Sequence, residues 1–268
     1  MVPSSFKIAR VIPVFKKGSY TSLNNYRPIS LLSIFNKLLE KLLYNRLINF
    51  IQKKNTLYDK QFGFHAHYST DHAILSIIDK IQLAVEERSY SCRIFLDFSK
   101  AFDTVNHNIL VKKLEQYGIQ GIAQEWFVSY LSNRQQFASL NNIKSDLHPV
   151  SCGIPQGSVL RPLLFLLYIN DFNKCSKLLD FHLFADDSNL FYKHKNLLTL
   201  QSNINMELNN IYIWLCTNKL SVNIDKSNFV IFHPPRKKLI QDVKLTINRK
   251  ELTREYSIKY LGILLIPI

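Results

Sequence analysis

The chain has 268 residues, 47% of them hydrophobic, so it can bury one large core or two smaller ones and is not disordered by composition. Its 34 Lys and Arg against 20 Asp and Glu give a net charge of +14, which favours a polyanionic partner such as nucleic acid unless the charge only keeps the protein soluble. The four cysteines form no C-x-x-C pair and no apolar run could span a bilayer, which argues against a zinc site and a membrane protein.

Two helices and a strand are predicted in the first hundred residues. Apolar residues recur every three or four positions through residues 31–51, which predicts an amphipathic helix. Ser69 offers an N-cap oxygen for a second helix that continues towards residue 87. A β-rich run from Cys92 then ends at Asp97, so the second helix is followed by a strand with a carboxylate at its end.

The rest of the chain alternates helices with short strands. Asp103 is interpreted as the N-cap of a helix that Gly118 stops, and not as a catalytic acid. The further predicted elements are a helix over 122–131, a strand pair over 136–150 turning at Asn141 and Asn142, a helix over 158–168, a strand pair over 178–192 with Asp186 and Asp187 at its tip, a helix over 197–215, and strands near 229–232, 243–247 and 260–265. This order indicates an α+β fold with an antiparallel sheet backed by helices.

Three carboxylates are expected to converge at neighbouring strand ends of that sheet, namely those of Asp97, Asp186 and Asp187. Like charges so close together do not all stay ionised without a cation, and clustered carboxylate oxygens with open positions suit Mg²⁺. Two such ions would support phosphoryl transfer. Both nucleotide transfer and hydrolysis of a phosphodiester, as in a metal-dependent nuclease, fit this pattern.

A series of short motifs runs in a fixed order along nearly the whole chain. They are residues 8–18, Asn25-Tyr26-Arg27-Pro28-Ile29-Ser30-Leu31, Gln61-Phe62-Gly63-Phe64, residues 95–103 around Asp97, Gly153-Ile154-Pro155-Gln156-Gly157-Ser158-Val159-Leu160, Phe184-Ala185-Asp186-Asp187, Asn218-Lys219-Leu220 to Asn223, Lys226-Ser227 and Tyr260-Leu261-Gly262. With these motifs the chain resembles the reverse transcriptase domain of non-LTR (LINE-type) retrotransposons, of the jockey-like or CR1-like kind. A single acidic dipeptide would be weak evidence, whereas motifs in family order are strong.

The resemblance implies the fingers and palm of a right-hand polymerase, with an antiparallel palm sheet backed by helices and the thumb absent. The fingers would comprise residues 1–91 and an insertion over 120–152. The palm would comprise residues 92–119 and 153–268, ending at the primer-grip region. An intracellular location, nuclear or cytoplasmic, is expected because the cysteine pattern fits a reducing compartment and no signal peptide is evident.

The resemblance also implies the activity, an RNA-directed DNA polymerase that adds dNTPs to the 3′-hydroxyl of a DNA primer on an RNA template with two Mg²⁺ ions, or Mn²⁺ in their place. Asp97, Asp186 and Asp187 would be the catalytic acids and metal ligands. The backbone carbonyl of Phe98 would be a further metal ligand. Lys226 would be the general acid for the leaving pyrophosphate, the alternative being a strand-end lysine without a role.

Four more residues would bind the nucleotide by the same resemblance. Arg27 would hold phosphate oxygens with its planar fork, although a generic surface charge is the alternative. Phe102 would lie beneath the incoming sugar and exclude a 2′-hydroxyl, unless its ring belongs to the core. Gln156 and Gly157 would line the nucleotide pocket, where glycine permits close approach of the backbone, and a simple helix-initiating turn is compatible with that role.

The sequence departs from the family pattern at two places. His65 stands where the pattern after Gly-Phe has arginine, which replaces a permanent charge with a titratable ring. Arg161 stands where the pattern has glycine, and a position that needs positive φ would be strained by it. A catalytically impaired remnant that only binds nucleic acid is therefore the alternative function. His67 and His72 lie near His65, and because the three lack the helical spacing of paired ligands we assign them no metal.

Overall fold

The structure is a computed structural model that describes residues 1–65, 68–141, 143–235, 237 and 242–267. The chain divides into two compact units, of which unit 1 comprises Met1–Leu57 and Phe102–Tyr168 and unit 2 comprises Tyr58–Ala101 and Ile169–Ile268. These bounds differ from those expected for fingers and palm. The expected division into fingers and palm stays a prediction.

Helices and strands alternate along the chain. The α-helices are α1 (Ile34–Lys53), α2 (Thr70–Glu86), α3 (His107–Gln116), α4 (Ile122–Leu131), α5 (Arg161–Ile169) and α6 (Leu197–Thr217). Short 3₁₀ helices span Ser4–Lys7, Leu23–Asn25, Ala101–Asp103, Phe172–Cys175 and Ile224–Lys226. The strands are β1 (Ile8–Phe15), β2 (Tyr26–Leu31), β3 (Tyr90–Leu96), β4 (Arg134–Leu140), β5 (Ile143–Lys144), β6 (His148–Val150), β7 (Asp180–Phe184), β8 (Asp187–His194), β9 (Asn228–Phe232), β10 (Thr246–Ile247), β11 (Lys250–Glu251), β12 (Thr253–Arg254), β13 (Ile258–Tyr260) and β14 (Ile263–Leu265). No α-helix in the described ranges is long and apolar enough to cross a bilayer.

Unit 1 contains a sheet in the order β2-β1-β4-β5, with β6 also paired to β4. Strands β1 and β2 are antiparallel, whereas β1 and β4 are parallel. Helix α5 is apolar on all sides after its first residue, Arg161, and residues 163–168 are all buried, as expected for a helix in the interior of a protein. The segment that precedes α5 is therefore anchored to the core at its C-terminal end.

Unit 2 contains a sheet in the order β12-β9-β3-β8-β7. Strand β3 pairs antiparallel with both β8 and β9, and only the edge pair β12–β9 is parallel. All seven residues of β3 are buried, which is typical of a central strand whose two faces are covered. The antiparallel sheet expected from the sequence is thus present, with one parallel pair at its edge.

A buried arginine lies in the middle of this sheet. Arg93 donates hydrogen bonds to Asn189 Oδ1 at 2.8 Å and to the Ile77 carbonyl at 3.0 Å, and its guanidinium lies 4.3 Å from the centre of the Phe191 ring. Burial lowers the pKa of Arg93 to about 9. These contacts compensate for part of the solvation that the guanidinium loses, and they tie α2 to the sheet.

Three local expectations are corrected. Asp103 does not cap α3; the Asn106 side chain does, accepting from the Ile109 N–H at 3.1 Å, while Asp103 accepts from Arg161. The expected strand pair over 136–150 is divided into β4, β5 and β6, and Asn142 of its predicted turn lies outside the described residues. The strands near 243–247 and 260–265 become shorter pairs, β10–β11 and β13–β14.

Candidate active site

The strand register of unit 2 places the three predicted acids at neighbouring strand ends. Leu96, the last residue of β3, lies opposite Ser188 of β8, so Asp97 and Asp187 are the next residues of the two paired strands. The β7–β8 hairpin is closed by the pair Phe184 and Asp187, which leaves Ala185 and Asp186 as its connection. Adjacent strands lie about 4.8 Å apart, so the three carboxylates are neighbours, as the sequence predicts.

The electrostatics of Asp187 agree with this placement of the acids. The pKa of Asp187 is raised to about 6 by burial and by the negative charges of Asp186 and Asp97. A bound divalent cation would remove this repulsion, so the donor set fits a metal of the Mg²⁺ class. Within the described part of the chain, however, no three His, Cys, Asp or Glu side chains are arranged to hold a metal ion. The three acids thus lie at adjacent strand ends.

The backbone of Asp97 is fixed by the segment around Lys226. Asp97 N–H donates to Ser227 Oγ at 3.1 Å, and the Asn223 N–H donates to the Asp97 carbonyl at 2.8 Å. Ser227 in turn donates to the Asn223 carbonyl at 2.8 Å. Lys226 Nζ lies 4.0 Å from Asp97 Oδ2, on a side chain that is 68% exposed. The structure therefore brings Lys226 next to the predicted catalytic acid and shows a positioning role for Ser227, to which the sequence analysis assigned none.

Phe98 is held in place through both its backbone and its side chain. The backbone of Phe98 pairs with that of Val222 in an isolated antiparallel bridge. The Phe98 ring packs edge-to-face on the ring of Phe172, with 5.7 Å between the ring centres. The side chain is 4% exposed and belongs to the core. This packing fixes the main chain that carries the predicted carbonyl ligand.

The residues expected to line the nucleotide pocket lie against strand β2 in unit 1. The Gln156 carbonyl accepts from the Ser30 N–H at 2.7 Å. A Cβ atom at Gly157 would lie 2.5 Å from the Ser30 carbonyl oxygen, and Gly157 has φ +130°, so glycine is required here for two reasons. Arg27 is exposed on the same strand, three residues before Ser30, about 10 Å along an extended chain. Within unit 1, Gln156 and Gly157 thus contact β2, the strand that carries Arg27.

Phe102 is half-buried between two side chains of α5. Its ring lies 4.2 Å from the Phe165 ring centre, and the Arg161 guanidinium lies 4.8 Å from the centre of the Phe102 ring. Arg161 also donates to the Ile154 carbonyl and, at 2.8 Å, to Asp103 Oδ1. Arg161 is the first residue of α5 and does not take a positive φ, so the strain considered for a cation at this position does not arise.

The histidines near residue 65 have structural partners. His65 stacks on Tyr68 with 4.6 Å between ring centres, and His72 completes a capping box with Ser69 at the start of α2. His67 lies outside the described residues.

Comparison with known proteins decides the family. The profile of the family described as reverse transcriptase (RNA-dependent DNA polymerase) matches residues 14–265. The chain belongs to the reverse transcriptase family. This reverse transcriptase domain is 28% identical over 273 residues to the RNA-directed DNA polymerase from mobile element jockey of Drosophila melanogaster, covering 98% of this chain and 29% of that protein. It is 29% identical over 271 residues to the probable RNA-directed DNA polymerase from transposon X-element of the same species, with the same coverages of 98% and 29%.

The jockey-like resemblance drawn from the motifs is thereby confirmed, although the chain spans only 29% of the length of these curated relatives. Among solved structures, the domain is similar to apo telomerase from Candida tropicalis truncated from its C-terminal domain, with TM-score 0.62, 13% identity, and coverage of 99% of this chain and 54% of that one. Telomerase from Candida albicans in complex with the TWJ fragment of telomeric RNA gives TM-score 0.62 and 13% identity, with coverages of 99% and 46%. At such identities the likeness concerns the fold alone, and it agrees with the expected reverse transcriptase fold.

Proposed function

We propose that this reverse transcriptase domain is an RNA-directed DNA polymerase that adds deoxynucleotides to the 3′-hydroxyl of a DNA primer on an RNA template. The observation that supports this most directly is the placement of Asp97 beside the Asp186 and Asp187 hairpin, at neighbouring ends of paired strands. The raised pKa of Asp187, caused by burial and by the charges of Asp186 and Asp97, supports this placement. An intracellular site of action, nuclear or cytoplasmic, is proposed with it, in keeping with four cysteines that are not disulfide-bonded.

The proposed cofactor is Mg²⁺, two ions, with Mn²⁺ as a substitute. When bound, such ions lower the pKa of the primer hydroxyl and neutralise the triphosphate and its leaving pyrophosphate. The residues that would hold them are Asp97, Asp186 and Asp187 through their carboxylates and Phe98 through its carbonyl oxygen. The charge repulsion at Asp187 is the feature of the chain that favours a cation here.

The remaining roles belong to side chains around the acids and on β2. Lys226 is proposed to donate a proton to the pyrophosphate oxygen as the phosphodiester forms, since its exposed ammonium group lies beside Asp97. Arg27 would bind phosphate oxygens with its guanidinium fork, and Gln156 and Gly157 would border the nucleotide with their backbone. Phe102, held against α5, would exclude a 2′-hydroxyl by contact.

A catalytically silent protein that binds nucleic acid is the second candidate. The observation that favours it is the net charge of +14, which does not depend on an intact catalytic site. Such a protein would bind RNA or an RNA–DNA hybrid through its cations, with affinity that falls steeply as salt is added. It would incorporate no nucleotide at any Mg²⁺ or Mn²⁺ concentration.

Primer extension on an RNA template separates these functions. We expect the wild-type chain to add one labelled deoxynucleotide in a Mg²⁺-dependent reaction. Asp186→Asn should lower the rate of this addition by at least about a hundredfold, because a proposed ligand of the metal ions is removed. Glu251→Gln, which neutralises an exposed acid on β11, is the matched control and should keep the wild-type rate. Equal rates in the wild type and Asp186→Asn would refute the proposed site. Tight binding without incorporation would support the silent protein, and degradation of a labelled strand without dNTPs would indicate a nuclease.

A further inference from the structure

A buried glutamine side chain links a loop to the hairpin that carries the acids. Gln61 is 2% exposed, and its Oε1 accepts two backbone hydrogen bonds, from the Gly63 N–H and from the Ala185 N–H, each at 3.1 Å. Because a single amide oxygen accepts both N–H groups, the distance between the loop and Ala185 is fixed by one side chain. We call Ala185, Asp186 and Asp187 the catalytic turn.

The backbone on either side of Gln61 adds to this link. The Phe62 N–H donates to the Leu183 carbonyl at 2.8 Å, and the Leu183 N–H donates to the Lys60 carbonyl at 2.9 Å. Gly63 lies so close to the hairpin that a Cβ atom on it would be 2.3 Å from Ala185 N. Residues 60–63 therefore lie directly against the end of β7 that leads into the catalytic turn.

The catalytic turn needs such support because its own conformation is unfavourable. Ala185 has φ +56°, a left-handed conformation that disfavours any residue with a Cβ atom. Strained backbone persists where the surrounding structure determines it, and here the determining contacts come from Gln61 and Gly63.

We propose that Gln61 and Gly63 form a positioning clamp that holds the backbone of the catalytic turn beside the end of β3, from where its acids bind divalent cations together with Asp97. Gln61 does not touch the acids or the reacting groups; it acts through the N–H of Ala185. The proposal rests on the proposed polymerase function, yet it makes a claim about cation binding that can be measured without any reaction. Glycine at position 63 is required because only hydrogen fits between the loop and the turn.

The test compares Gln61 variants by direct Mn²⁺ binding, measured from the electron paramagnetic resonance signal of free Mn²⁺. Gln61→Met keeps the length of the side chain but leaves two buried N–H groups without their acceptor, and we expect about a tenfold weaker Mn²⁺ affinity. Gln61→Glu keeps an acceptor oxygen in either protonation state and should bind Mn²⁺ within about threefold of wild type. Gly63→Ala should weaken Mn²⁺ binding at least as much as Gln61→Met, because the added methyl group displaces Ala185.

A matched control distinguishes positioning from general loss of stability. Asn205 also clamps backbone with its amide, accepting from the Thr246 N–H at 2.9 Å and donating to the Lys244 carbonyl at 3.0 Å. Asn205→Leu should lower the melting temperature without changing Mn²⁺ affinity. If Gln61→Met lowered the melting temperature alone, or Asn205→Leu weakened Mn²⁺ binding equally, the clamp would be only structural and the proposal wrong.

Activity gives a second, separable readout. If the wild type incorporates nucleotide, Gln61→Met should lower kcat by about ten- to a hundredfold with KM for dNTP nearly unchanged, since misplacement affects the acids more than the nucleotide pocket. If the wild type binds Mn²⁺ but incorporates nothing, the polymerase proposal fails, while weaker Mn²⁺ binding by Gln61→Met still supports the clamp. A wild-type chain that bound no Mn²⁺ would overturn the clamp itself.

Discussion

The raised pKa of Asp187 makes the free energy of unfolding depend on pH. Its pKa is about 6 in the folded chain against an ordinary value of 3.8, so the fold disfavours the ionised carboxylate. The penalty is absent below about pH 4, grows between pH 4 and 6, and is complete above pH 6 in the metal-free chain. Although burial contributes to the raised pKa, Asp187 is also exposed to solvent at the start of β8, and solvent screens its charge. We therefore take the penalty as about 1 kcal/mol and not the full shift.

Asp187→Asn should therefore stabilise the metal-free chain at pH 7.5 and leave it unchanged at pH 4. The expected rise in melting temperature is about 2 °C, measured by circular dichroism in the presence of a chelator. Saturating Mg²⁺ should reverse the order, because only the wild type gains the full binding energy. A stabilisation of equal size at both pH values would show that the carboxylate's charge is not its cause.

Arg161 contributes stability where the family pattern has glycine. Arg161→Gly removes the hydrogen bonds to Asp103 and to the Ile154 carbonyl and places glycine at the first position of α5. We expect a loss of about 1–2 kcal/mol in the free energy of unfolding, measured with urea. Arg161→Lys, which keeps the charge without the planar fork, should lose about half as much. A variant Arg161→Gly that was more stable than the wild type would mean that the arginine is strained after all.

At the scale of elements, helix α1 buries a face that its apolar pattern does not indicate. Its buried residues are Asn36, Glu40, Leu47 and Ile51. Several apolar residues of the predicted stripe are exposed instead, namely Ile34, Phe35, Leu38 and Leu42, with exposed fractions of 83%, 71%, 59% and 57%. The expected helix is present, but its N-terminal half packs through polar groups.

Those polar groups form a connected network that holds the start of α5. Glu40 accepts from Asn36 Nδ2 at 3.0 Å, from the Tyr130 hydroxyl at 2.8 Å and from the Val159 N–H at 2.7 Å. Since the Tyr130 hydrogen goes to Glu40, Ser158 Oγ, 2.9 Å away, donates to Tyr130. Burial and the nearby Glu40 raise the pKa of Tyr130, which keeps its hydroxyl protonated as a donor.

Glu40→Ala should be among the most destabilising changes in unit 1. It leaves the partly buried Val159 N–H without an acceptor and removes the bond from the Tyr130 hydroxyl to Glu40, at about 3 kcal/mol in urea unfolding. Tyr130→Phe removes one of the same bonds and should cost only about 1 kcal/mol. Leu38→Ser on the exposed face should change stability by less than about 0.5 kcal/mol. A loss at Leu38 as large as that at Glu40 would contradict the burial of α1 described here.

The contrast between the acids and Glu40 shows what sequence could predict. Asp97 and Asp187 follow or begin short apolar strands, and that local pattern sufficed to place them at neighbouring strand ends. Glu40 depends on Tyr130 and Val159, which lie far away in sequence, so no local pattern could indicate its burial. Gln61 lies within a motif of the family pattern, but the hydrogen bond that it accepts from the Ala185 N–H joins residues 124 positions apart and also depends on tertiary structure.

At the scale of the whole molecule, charge sets the conditions under which nucleic acid binding can be observed. The net charge of +14 predicts that the proposed binding to an RNA–DNA hybrid is driven largely by counterion release. Exposed cations that contact phosphates should each contribute about one unit to the slope of log Kd against log salt concentration. The slope therefore counts phosphate contacts, even for a chain that has lost catalysis.

Lys16 and Lys17 are the two lysines that we expect to contact phosphates of the nucleic acid. Both are exposed directly after β1, on the part of the chain whose sequence resembles the fingers. The double variant Lys16→Gln, Lys17→Gln should reduce the slope by about two units for hybrids of any sequence, measured by fluorescence anisotropy between about 50 and 300 mM salt. Lys250→Gln, an equally exposed lysine on β11, should leave the slope unchanged. If all three lysines reduced the slope equally, binding would follow net charge alone, with no defined nucleic-acid surface at residues 16 and 17.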